Sequence, residues 1–90
     1  MAKNSTHRAT AADVLRILSE DSMGVFRRLN LPVQVAQLSM PRDDKGPRIK
    51  VSLQRGSKIK VPAGLEFTLG GRTIRVPLEA VEDYQSYTVQ

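Results

Sequence analysis

Cysteine and tryptophan are absent from these 90 residues, histidine occurs once, and phenylalanine and tyrosine occur twice each. Without cysteine there is no disulfide framework and no thiolate chemistry, which suits a reducing compartment. The one histidine, His7, stands in a polar opening stretch, so no positioned imidazole is available for acid–base work or a nucleophilic relay. No apolar run approaches the roughly 20 residues of a membrane helix, and MAKNSTHRAT lacks the apolar middle of a signal peptide. The expectation is a soluble, cytoplasmic protein with no membrane partner and no enzymatic activity.

Acidic residues are also missing from one whole region. Residues 45 to 60 hold Lys45, Arg48, Lys50, Arg55, Lys58 and Lys60 without a single Asp or Glu, whereas the end of the chain carries Glu79, Glu82 and Asp83. The net charge of +5 is therefore concentrated in a basic centre followed by an acidic end. Metal binding needs converging ligands, and Asp43-Asp44 supplies only adjacent carboxylates beside Arg42 and Lys45. Gly70-Gly71 matches neither a phosphate-binding loop nor a dinucleotide fingerprint. Neither a cofactor nor a small-molecule substrate is implied.

What the chain does contain is periodicity. Residues 1–9 lack it and read as a flexible basic arm ahead of a single small domain over 10–90. Thr10 to Leu29 reads as a helix, with Ala11, Val14, Leu15, Leu18, Ser22, Val25, Phe26 and Leu29 on one stripe. Thr10 and Asp13 have the spacing of a capping pair. Gly24, in Ser22-Met23-Gly24, costs roughly 1 kcal/mol relative to alanine inside a helix, so two shorter helices are the alternative. Ile17 and Met23 lie off the stripe of a continuous helix, either widening the buried face or exposing apolar area for docking or self-association.

Leu31 to Met40 reads as a strand whose alternation shifts phase, and Pro41 to Pro47 as a polar loop. From Arg48 the period is two, with Ile49, Val51, Leu53, Ile59, Val61, Leu65, Phe67, Leu69, Ile74, Val76 and Leu78 facing inward. A two-residue turn at Gly70-Gly71 pairs Leu69 with Arg72, Phe67 with Ile74 and Leu65 with Val76. Three-residue turns at Arg55-Gly56-Ser57 and Pro62-Ala63-Gly64 would pair Leu53 with Ile59, Val51 with Val61, Val61 with Leu65 and Ile59 with Phe67. Glu79 to Tyr84 reads as a helical turn, with Ser86 to Val89 a short strand or tail. The expected fold class is α+β: an N-terminal amphipathic helix packed on a four- to five-stranded antiparallel sheet, a meander.

This register sends Arg48, Lys50, Lys58 and Lys60 to the solvent side of the sheet, with Arg55 in the adjoining turn. Such a face suits phosphate contacts, and the expected function is a small non-catalytic module binding nucleic acid through Arg48, Lys50, Lys58, Lys60 and Arg55. Aromatic stacking of unpaired bases is disfavoured, because Phe26 and Phe67 fall on core positions and Tyr84 and Tyr87 in the acidic end. Arg75 is set apart, since Glu66 lies directly across from it. The alternative is a protein-interaction or self-assembling module that uses open strand edges, at the strand beginning at Arg48 or the one ending at Leu78. The acidic end and basic sheet can also attract each other, between subunits or as a mask within one chain.

Overall fold

In the computed structural model, which describes residues 7–31 and 36–84, the first helix starts at a reciprocal cap. The Thr10 hydroxyl accepts from the Asp13 backbone N–H at 3.2 Å, and the Asp13 carboxylate accepts from the Thr10 N–H at 3.0 Å. Two donors that a helix start leaves orphaned are thereby satisfied. The helical region is two helices, α1 (Ala11–Glu20) and α2 (Ser22–Arg28), broken at Asp21, whose φ of −144° and ψ of 34° are not helical. The break falls just ahead of Ser22-Met23-Gly24.

That break changes which residues are buried. A single continuous stripe no longer has to serve both helices, and α1 turns Asp13, Val14 and Ile17 inward. Ile17 is 2% exposed and Leu15 is 53% exposed, the reverse of the continuous-helix expectation. In α2, Val25 and Phe26 are buried while Met23 is 54% exposed. No helix among the described residues is long and apolar enough to cross a membrane.

The strands are β1 (His7–Arg8), β2 (Ala36–Ser39), β3 (Ile49–Gln54), β4 (Gly64–Leu69) and β5 (Arg72–Tyr84). His7 and Arg8, assigned to the arm by the sequence, instead lie parallel to β5 as partners of Ile74 and Arg75; residues 1–6 of that arm lie outside the described residues. The β4–β5 hairpin has the expected register through Leu69↔Arg72, Phe67↔Ile74 and Leu65↔Val76. Its turn glycines adopt φ of +56° and +81°, the left-handed values that a two-residue hairpin turn requires.

Two other expectations are corrected. The segment 79–84 is not a helical turn: β5 runs on through it and pairs in parallel with β3, aligning Ile49 with Leu78, Lys50 with Glu79 and Val51 with Ala80. On its other side β3 pairs antiparallel with β2, through Ala36↔Leu53 and Leu38↔Val51. With both edges occupied, β3 has no place for the expected Ile59–Val61 partner, and residues 57–63 join no ladder among the described residues. The sheet is therefore mixed rather than an antiparallel meander, in the order β1-β5-β3-β2 with β4 also on β5. The strand beginning at Arg48 is interior, and the strand through Leu78 continues past it. Residues 32–35 and 85–90, which include parts of the expected first strand and of the tail, lie outside the described residues.

One apolar core joins these elements. Val14, Ile17, Val25, Phe26 and Leu29 from the helices meet Ile49, Val51, Leu53, Phe67, Ile74 and Val76 from the sheet. Most of the favourable free energy comes from burying these side chains, each worth about 1.5–3 kcal/mol when fully buried. Pro77 closes the hairpin register opposite Gly64 and stands where β5 passes from β4 to β3, a position at which a missing N–H interrupts little.

Candidate anion-binding surface

The polar side of β3 is where the basic residues were expected to gather, and strand pairing decides what each one meets. Arg48, just ahead of β3, has a side chain only 12% exposed. Its Nε donates to Glu79 Oε1 at 2.9 Å, while Nη1 and Nη2 grip Asp43 at 2.9 and 2.8 Å. Nη1 also reaches the Gly46 carbonyl at 3.1 Å. The fork geometry of a guanidinium makes this bracketing possible, because one planar group serves two carboxylates and a carbonyl at once. Hydrogen bonding to Arg48 holds the Asp43 carboxyl well below the usual carboxylate range, helped by the Lys45 backbone N–H.

Lys50 is engaged as well. Its Nζ lies 2.6 Å from Asp83 Oδ2, and hydrogen bonds from Lys50 and then Ser52 lower the Asp83 carboxyl below its ordinary value. A register shift between Ser52 and Gln54 accompanies this contact, since Ser52 pairs with Val81 and Gln54 with Tyr84. The neighbouring Glu82 carboxylate accepts from the Gly56 backbone N–H at 3.2 Å. The acid-free region thus has its acids after all, supplied by Asp43 and by the parallel strand β5. Sequence reasoning allowed the acidic end to mask the sheet within one chain, and the pairing of β3 with β5 is the form the mask takes.

Arg55, Lys58 and Lys60 are placed differently. All three are exposed, and among the described residues none has an acid within ion-pair distance. They lie on the connection from β3 to β4, whose path is dictated by its ends. Gln54 sits beside Tyr84 and Gly64 beside Pro77, sites about 23 Å apart along β5 at the usual rise per residue. A turn closed by Ser57 N–H to the Gln54 carbonyl takes up the first residues. The seven steps from Ser57 to Gly64 reach at most about 25 Å, so this stretch has to run nearly extended. Burial agrees with an extended backbone, as Ile59 and Val61 are half-buried against the core and Lys58 and Lys60 are exposed.

The remaining cations have structural employment or stand apart. Arg28 covers the Phe67 ring at 4.6 Å, and Arg72 reaches Asp13 at 3.3 Å, linking the hairpin to the cap of α1. Glu66 and Arg75 are register partners as expected, but no ion pair joins them among the described residues; a side chain at Gly64 would meet the Arg75 guanidinium. Five predicted site residues are therefore divided. Arg48 and Lys50 belong to the β3–β5 junction, while Arg55, Lys58 and Lys60 share one exposed connection.

Comparison with protein-family models, with curated proteins and with solved structures finds no match for this chain.

Proposed function

We propose that this chain is a small non-catalytic binding module whose contact surface is the segment Arg55–Val61 and whose partner is an anionic protein segment. The observation that carries this reading is that three exposed cations, Arg55 in a turn and Lys58 and Lys60 on the extended stretch after it, have no acidic partner and no paired strand among the described residues. Charge there favours an anion, and open main-chain groups favour a protein chain, which offers donors and acceptors in alternation. A phosphodiester offers acceptors only, and so leaves the carbonyls of the same stretch unmet.

Nucleic-acid binding through the full set Arg48, Lys50, Lys58, Lys60 and Arg55 has less support. Arg48 and Lys50 would have to leave Asp43, Glu79 and Asp83, and the Glu82 carboxylate beside Gly56 adds negative charge near the remaining cations. Arg55, Lys58 and Lys60 alone would give an affinity falling as about the third power of salt concentration.

Backbone amide shifts recorded during titration with a polyglutamate peptide, duplex DNA and duplex RNA, each at two salt concentrations, test the reading. Shifts confined to 55–61 with the peptide, lost in K58E/K60E, are expected. Shifts with the duplexes alone would transfer the surface to nucleic acid. Silence with all three would remove it as a binding surface.

A further inference from the structure

The tripeptide Ile-Lys-Val occurs twice, at 49–51 and at 59–61, and the fold treats the two copies differently. The first is the heart of β3, with a strand on either side. Its lysine meets an acidic strand: Lys50 is the register partner of Glu79 and ion-pairs with Asp83. The second copy keeps the same inward and outward alternation but has no strand beside it among the described residues. Ile59 N–H turns back to the Ser57 hydroxyl at 3.3 Å. No hydrogen bond to the backbone N–H of Lys58 or Lys60 is found among the described residues. In an extended chain, residues two apart send their N–H and C=O groups to the same side, so Lys58 and Lys60 present an open half-ladder flanked by their own ammonium groups.

We infer that Lys58–Val61 accepts an added strand from a protein partner, and that this strand carries carboxylates on the face that meets the lysines, as β5 does toward β3 with Glu79 and Asp83. The inference rests on the proposed binding surface and names its mode. Main-chain hydrogen bonding supplies attachment that is indifferent to sequence, while Lys58 and Lys60 select acids on the facing side, with Arg55 extending the positive field. The chain itself contains the model for this pairing, because Glu79, Val81 and Asp83 line up beside Lys50 and Ser52 with the same two-residue spacing.

A synthetic peptide with the sequence of residues 78–84, LEAVEDY, is the probe, added to the full chain and compared with the same peptide in which Glu and Asp are replaced by Gln and Asn. Amide hydrogen exchange at Lys58 and Lys60 is expected to slow at least tenfold with the acidic peptide and to be unchanged with the neutral one. Two variants divide main chain from side chain. K60Q removes the charge alone, K60P removes the charge and the N–H, and K60P is expected to bind the peptide more weakly than K60Q while both retain the native circular dichroism. Binding without slowed exchange, with K60P and K60Q equal, would overturn strand addition and leave the cationic surface standing. Peptide-induced amide shifts at 49–54 instead would show exchange into the existing β3–β5 pairing and overturn it too. Absence of peptide binding would overturn it as well; duplex DNA shifting 55–61 in that case would preserve the cationic surface, and no response to either would remove both.

Discussion

Because the Arg48 guanidinium is bracketed by carboxylates from the loop before β3 and from β5, a lysine in its place keeps the charge but cannot serve all three acceptor groups. R48K is expected to lower the urea midpoint of unfolding, and D43N to cost less in that background than in the wild type, since both remove the same contact. Equal losses in the two backgrounds would count against the bracket. The carboxylates also set a pH dependence. Asp13, Asp43 and Asp83 all have values lowered from 3.8, by hydrogen bonds from Thr10, from Arg48 and from Lys50 respectively. A lowered native value means that the unfolded chain takes up protons first as pH falls. Their stabilisation is therefore complete above the unfolded value near 3.8 and is lost as pH drops through the native values. Urea midpoints measured from about pH 6 to about pH 2 should fall, and D43N should flatten that fall, whereas an unchanged slope would mean that Asp43 is not held by Arg48. At this scale the Thr10–Asp13 cap was legible in the sequence because its partners are three residues apart. The partners of Arg48 and Lys50 were not, because Glu79 and Asp83 reach them only after two distant strands have paired.

Elements divide along the same line. The β4–β5 hairpin could be read residue by residue, since a two-residue glycine turn leaves one register that matches apolar to apolar. Its turn offers a direct test. At Gly70, with φ of +56°, asparagine adopts the required conformation, and G70N should be neutral or stabilising by up to about 1 kcal/mol through a less flexible unfolded chain. At Gly71, with φ of +81°, a β-branched side chain is strained, and G71V should cost about 1–2 kcal/mol. Denaturant unfolding of the two variants distinguishes them, and a G71V as stable as wild type would refute the turn. The expected hairpin after β3 failed for a different reason. Its register was as good as the other, but β2 and β5 compete for the same two edges and take both. LEAVEDY likewise suggests a helical turn only while it is considered alone; beside β3 its acids face cations, and it continues as strand.

For the molecule as a whole, the consequence is that two segments with the same Ile-Lys-Val tripeptide carry different shares of its stability. Ile49 is fully buried in the interior strand, and shortening it leaves a cavity in the one core, so I49A should cost about 2–5 kcal/mol. Ile59 is only half-buried on the connection that runs from beside Tyr84 to beside Pro77 of β5, and the cavity left by I59A is open to solvent and partly relieved, so its cost should fall near or below about 1 kcal/mol. Native-state amide exchange gives an independent reading of the same contrast. Amides in the ladders on either side of β3 open only with a large part of the fold, whereas those of Lys58 and Lys60, without a hydrogen-bond partner among the described residues, exchange close to the rate of a free chain. If Lys60 proved as protected as the β3 ladder, and I59A as costly as I49A, the second tripeptide would belong to a sheet and the meander read from the sequence would be restored. If both differences appear, the core's demand for strands is met by the first copy. The second is then held extended by the span it has to cross, with its cations and main chain left to meet another molecule.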